Sequence, residues 1–239
     1  MDQPEKDQEG KEETKPNPVD NSEISIDSYI DDAKYLYIRN INANPYHRDY
    51  NKAELDTAAI NTIFGYFKAI YALNTPQTDS IFRLYKMKIY HKVRLTGITF
   101  LPLASKPGMA NLINSQIPTG INNIDTFLND YGFNSSNFTI KPIGLNLVTL
   151  SSTRELNMFV IERQLKKMEV VGYTETPQVV AADGDRMSLD YRGETAILSF
   201  FRGEGACGSG CWFSKTWAFE ITNGIAVYKG RSASRPPSL

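Results

Sequence analysis

Few residues of this chain have the types and spacing that chemistry needs, and the first are Cys207 and Cys211, its two cysteines. They lie in Gly203-Glu204-Gly205-Ala206-Cys207-Gly208-Ser209-Gly210-Cys211, between two runs that read as β-strands. The C-x-x-x-C spacing differs from the C-x-x-C of thioredoxin-like redox sites, and no helix start follows to depress a thiol pKa. The glycines and the serine suit tight bends with positive φ. The leading expectation is therefore a structural disulfide that pins a hairpin, worth about 2 kcal/mol in the chain-entropy model. Buried free thiols, or a redox or metal role, are the alternatives. Zinc is disfavoured, because it needs four ligands and only His47 and His91 could join the two sulfurs.

Those two histidines also bound the enzymology. His47 sits in a loop-like stretch and His91 in a strand-like run, neither beside a nucleophile elbow. Asp183-Gly184-Asp185, with Asp190 nearby, hints at calcium, but its spacing does not fit an EF-hand and Asp-Gly is ordinary turn chemistry. No phosphate-binding loop or dinucleotide fingerprint appears. A carboxylate pair for glycoside hydrolysis has no sequence spacing to search for. The expectation is no catalytic residue, no cofactor and no metal. The remaining candidates for binding are the tyrosines of residues 24–50, with Tyr35, Tyr37 and Tyr46 as a possible aromatic surface; packing against the core is the alternative.

At 239 residues and 41% hydrophobic content the chain can bury a core unaided. Its net charge of −1 argues against nucleic acid as partner. Residues 1–23 hold eight acids against three lysines and almost nothing apolar, so they read as a disordered acidic tether. No run of about 18–20 apolar residues is present to span a bilayer. Met1, followed directly by Asp-Gln-Pro-Glu-Lys, reads as a start placed after a removed leader; a cytosolic N-terminus is the alternative.

The elements that must carry these residues follow from periodicity. Residues 24–50 show no clear period and read as tyrosines packing a strand. A helix is expected from Lys52 to Leu73, capped by Asn51, with Leu55, Ala59, Ile63, Phe67 and Ile70 on its buried stripe. Ile81 to Leu101 reads as two strands. Short helices are expected at 109–115 and 123–130. Phe138–Leu150 reads as a strand bent at Pro142 and Gly144. Ser152-Thr153-Arg154-Glu155 matches a capping box opening the next helix, and Val170–Thr174 returns as a strand, which makes a βαβ unit with two parallel strands. From Gln178 onward the signals are β: Val179–Ala182, Met187–Tyr191, Thr195–Arg202, Cys211–Thr222 and Ile225–Lys229. Asn223-Gly224 is a type I′ hairpin signal.

The stretch Gly205-Ala206-Cys207-Gly208-Ser209-Gly210-Cys211, followed by Trp217, Phe219, Gly224 and Tyr228, resembles an uncharacterised group of exported, often lipid-anchored proteins of Gram-negative bacteria. Their hallmark is a Gly-Asp-Cys-Pro-x-Gly-Cys hairpin before a Trp-x-Phe strand. Thr119-Gly120-Ile121-Asn122-Asn123-Ile124-Asp125, Leu156-Asn157 and Val170–Glu175 are similar to further segments of that group. Ala206 and Gly208 stand where the hallmark has aspartate and proline. The resemblance implies an exported location and no known activity, with Cys207, Cys211, Gly205, Gly210, Trp217 and Phe219 as its motif residues. The βαβ segment is also similar to the propeptide-like modules that cap subtilisin-type proteases.

Together these readings predict an α+β chain with a long N-terminal helix and strands, a βαβ unit, and a C-terminal antiparallel meander with a disulfide-pinned hairpin. Its regions are the tether 1–23, a helix-plus-strands region 24–108, an α+β region 109–230 and a loose tail 231–239. The expected function is non-catalytic binding of a peptide, protein or glycan at the bacterial envelope or cell surface. Contact with the membrane would come only through a lipid anchor. A protease-inhibitor or propeptide-like module is the first alternative, and a hydrolase of envelope or dietary polymers the second.

Overall fold

The computed structural model describes residues 25–89, 93–140, 144–175, 177, 185–204 and 213–234. The described chain is α+β, with helices packed on two four-stranded antiparallel sheets. The tether at 1–23, His91, the strand expected at Val179–Ala182, Gly205, Cys207, Gly210 and Cys211, and residues 235–239 lie outside the described residues.

Helix α1 (Ile30–Ala43) follows a 3-10 turn and replaces the strand expected in the tyrosine-rich stretch. Its period was hidden because polar residues face neighbours as well as water. Asp32 is buried, and Arg39 and Asn40 donate to the carbonyls of Met187 and Leu189. Helix α2 (Thr57–Tyr71) is shorter than expected, and its cap is Asp56, not Asn51. The Asp56 carboxylate accepts from the amides of Ala58 and Ala59. Residues 53–54 instead reach across the molecule: the Ala53 carbonyl accepts from Asn157, and Glu54 forms an isolated bridge with Leu156. Of the expected stripe Ile63, Phe67 and Ile70 are buried, Leu55 and Ala59 are half-buried, and Ile60 joins the buried face.

Helix α3 (Pro76–Asp79) opens on a Thr75–Thr78 capping box and runs into a π-helical turn, Ser80–Leu84. The first of the two strands expected between Ile81 and Leu101 is thus a turn with irregular chain after it. Its apolar residues are core anchors: Ile81, Phe82, Met87 and Ile89 are all buried. The second is present as β1 (Gly97–Pro102). Helices α4 (Met109–Ile113) and α5 (Asn122–Asp130) fall where expected, and a hairpin of β2 (Asn134–Ile140) and β3 (Leu145–Ser151) follows.

The capping box at Ser152–Glu155 does not open the next helix. Asn157 caps α6 (Met158–Lys167), accepting from the Phe159 amide at 3.2 Å. Ser152 Oγ instead ties the loop, donating to the Tyr131 carbonyl and accepting from the Arg154 amide. Strand β4 (Val171–Thr174) then joins the sheet, whose order is β2-β3-β1-β4. Both β3 and β4 pair antiparallel with β1, so they run parallel to each other. The βαβ unit is present, with β1 lying between its two strands.

The C-terminal sheet is the expected meander: β5 (Arg186–Arg192), β6 (Thr195–Glu204), β7 (Phe213–Thr222) and β8 (Ile225–Ser234), paired in chain order. Positive φ at both Asn223 and Gly224 gives the type I′ turn. Residues 231–234, expected in a loose tail, continue β8 as far as Ser234 opposite Ser214. Two hydrophobic cores result. One joins α1, α2 and residues 81–89 to the β5–β8 sheet, and the other lies between the β1–β4 sheet and α4, α5 and α6.

Candidate functional site

The sequence-derived site residues that are described do not come together. Tyr35 and Tyr37 are 9% and 5% exposed on α1, whereas Tyr46 is 95% exposed in the following turn. Tyr37 is built in: its hydroxyl donates to Asp49 Oδ2 at 3.4 Å and accepts from the Asp56 amide at 3.3 Å. Trp217 and Phe219 are buried on the inner face of β7 under the helices. His47 Nδ1 accepts from the Asp49 amide within its own turn. Asp185 pairs with Arg202 at 3.4 Å. Among the described residues no group of three His, Cys, Asp or Glu is arranged to hold a metal, and no helix is long and apolar enough to cross a membrane.

A cleft of about 520 Å³ opens where the two layers meet. One wall is Ser28 of the 3-10 turn with Asp31, Asp32 and Tyr35 of α1; the other is made by Lys88, Ile89, Val93, Leu95 and Thr96 and is closed by Glu155. Tyr35, Ile89, Val93 and Leu95 make its apolar floor. The position of each wall follows from local structure. Spacings of four and three along the 3-10 turn and α1 put Ser28, Asp32 and Tyr35 on one side. Residues 95–96 are pinned to 152–156, with the Leu95 carbonyl accepting from Leu156 and the Thr96 carbonyl from Ser152.

The cleft's charges hold one another. Asp32, 5% exposed, accepts from the Lys88 ammonium at 2.9 Å and from the Ile89 amide at 2.6 Å. Burial pushes its carboxyl above the usual range, and Lys88 and the amide oppose that shift. The Lys88 ammonium also lies 3.6 Å from the centre of the Tyr29 ring, a cation–π contact. Lys34 reaches from α1 to Glu155 at 2.8 Å and to Asp31 at 3.3 Å. Burial works against its charge, but the two carboxylates raise the ammonium above its ordinary pKa.

A second cleft of about 370 Å³ adjoins the first, sharing Glu155 in its wall. Lys34, Leu55, Ile60, Arg154 and Leu156 line it, and Arg154 pairs with Glu54 at 3.1 Å.

Apart from Tyr35, none of these residues is a candidate by sequence. Asp31, Asp32 and Lys34 fall in the stretch read as a strand without a clear period, and Glu155 in the expected capping box. The one available signal was the pair of adjacent acids Asp31-Asp32 inside an otherwise apolar, tyrosine-rich stretch. No family model, curated protein or solved structure matches this chain.

Proposed function

We propose that this protein is a non-catalytic binding module of the bacterial envelope or cell surface, whose ligand occupies the cleft between α1 and residues 88–89 and 93–96. One observation carries this reading: the cleft joins an apolar floor to polar groups already fixed in place by their own partners, Asp32 by Lys88 and Glu155 by Lys34. Preformed clefts of this size with a few positioned polar groups, at the junction of two layers, are where proteins hold ligands. Groups engaged in this way orient a ligand rather than attack it.

The exported location rests on the cysteine loop and on the resemblance it carries. Strands β6 and β7 pair as far as Glu204 opposite Phe213, so both cysteines fall in the connection of one hairpin. A Cys207–Cys211 bond belongs to this reading. Intact mass after alkylation without reductant tests it; two alkylated cysteines would refute the bond.

Binding is tested with peptide and glycan arrays on the wild type and on Ser28→Trp. Ser28 is exposed at the cleft mouth, and its hydroxyl donates to the carbonyl of Ser25. The variant should keep its melting temperature and lose the ligand. A ligand bound equally by both proteins, or turned over by the wild type, would contradict the reading.

The second reading, a propeptide-like inhibitor, is favoured by the β3–α6–β4 crossover with β4 at the sheet edge and Tyr173 60% exposed on it. Inhibition of a subtilisin-type protease that is lost on Tyr173→Ala would shift the choice to it.

A further inference from the structure

The two adjoining clefts form one groove along α1, and its charge selects the occupant. The geometry points to an extended peptide with a basic side chain, lysine or arginine, set against Glu155 and Asp31 with its aliphatic stem on Ile89, Val93 and Leu95. This deepens the proposed function and rests on it.

The argument begins with which charges face solvent. Among the described residues, three carboxylates, Asp31, Asp32 and Glu155, stand around the first cleft against two ammonium groups, Lys34 and Lys88. The exposed members at the Lys34 cluster are the acids: side-chain exposure is 73% for Asp31 and 45% for Glu155, but 19% for Lys34 between them. Lys34 therefore fixes the two carboxylates, meeting both oxygens of Glu155 at 2.9 and 2.8 Å and Oδ1 of Asp31 at 3.3 Å, while the carboxylates stay the more exposed partners. Lys88 is held on both sides, by Asp32 and by the Tyr29 ring, so it is not the group that meets a ligand's anion on favourable terms. An incoming cation gains from the excess carboxylate, whereas an anion must approach two exposed acids.

The groove's shape speaks for a chain. Its two parts, of about 520 and 370 Å³, meet at Glu155, with Lys34 in the wall of the second. A small amine would fill one part only. An extended peptide can place a basic side chain in the first and a neighbouring apolar one against Leu55, Ile60 and Leu156 in the second.

The test uses the acetylated, amidated pentapeptide Ala-Leu-Lys-Leu-Ala, its relatives with Gln or Glu at the centre, and spermidine as a free amine. Isothermal titration at low salt should rank the Lys peptide first, by up to about fivefold over the Gln peptide, since paired exposed charges contribute modestly. The preference should shrink at high salt. Glu155→Lys should reverse the order in favour of the Glu peptide, and Asp31→Asn should weaken the Lys peptide alone. Equal binding of all three peptides, each still abolished by Ser28→Trp, would overturn the cationic class while leaving the binding reading intact. Spermidine binding as tightly as the Lys peptide would overturn the peptide. Failure of the Lys peptide to bind at millimolar concentration would overturn the inference outright, whatever the arrays find.

Discussion

The two sheets are each four antiparallel strands, yet they are assembled in opposite ways. Strands β5 to β8 pair in chain order, and the helices that cover them come from the other end of the chain. In the β2-β3-β1-β4 sheet the strand order is scrambled, and the covering helices α4, α5 and α6 are local. The first layer is thus closed by the chain's two ends, with the second inserted between them. Their seam is largely polar: Asn42 donates to Asn157 Oδ1 at 3.2 Å, Arg163 donates to Asn42 at 2.9 Å, and Lys34 and Arg154 pair with Glu155 and Glu54. The candidate groove lies on this seam. Neither layer alone could build it, because α1 belongs to one and Glu155 to the other.

If the layers are distinct cores, damage to one should appear first in that one. The largest effect is expected for Phe200→Ala. Phe200 is fully buried, with ring centres of Phe67, Phe82 and Phe219 at 5.8–6.0 Å. The loss should be about 3–5 kcal/mol. Hydrogen exchange should rise first at α1, α2 and β5–β8; equal loss of protection in β1–β4 would show that the layers unfold as one.

Asp125→Ala makes the converse test. Its carboxylate accepts from the Thr119 amide at 2.6 Å, the Thr119 hydroxyl at 2.8 Å and the Gly120 amide at 3.0 Å. Burial pushes this carboxyl up, but the hydrogen bonds outweigh that and hold it below its ordinary value. A depressed folded pKa means stabilisation that is present above the unfolded value, about 3.9, and lost as pH falls through the folded one. The substitution should cost about 2–3 kcal/mol at pH 6, confined to the β1–β4 layer, and less at pH 3. Urea melts at the two pH values check this; an equal cost at both would remove the ionised carboxylate from the account.

At the seam, Asn42→Ala removes the side chain that links α1 to Asn157 and Arg163. A loss of about 1–2 kcal/mol is expected, with both layers loosened together in hydrogen exchange. The smallest effect belongs to Arg94→Ala. Its two-pronged pair with Glu175, at 2.7 and 2.9 Å, is solvent-exposed on both sides and should be worth under about 1 kcal/mol in a urea melt.

The meander was legible because each of its signals is local. Alternation places Trp217, Phe219 and Ile221 on the inner face, and Asn223-Gly224 names its own turn. Helix α1 was not legible, because it buries the polar Asp32 and uses Arg39 and Asn40 to bond the carbonyls of β5, so polar and apolar residues do not sort into a clean period. Ile81 and Phe82 have strand-like side chains but sit in a π-helical turn that the Thr75–Thr78 box and Pro76 initiate. Ser152 and Glu155 have capping-box spacing, yet their side chains serve the Tyr131 carbonyl and Lys34. The groove was hidden for a related reason. Lys34 and Glu155 are 121 residues apart, and no local pattern announces a pair that only the joining of two layers creates.

The most direct test of the groove is a crystal structure of the complex with the Lys pentapeptide. The account predicts the peptide along α1, its ammonium within hydrogen-bond distance of Glu155 or Asp31 and a leucine against Leu55 and Ile60. A peptide lying elsewhere, for example added as a strand at the β4 edge, would contradict it.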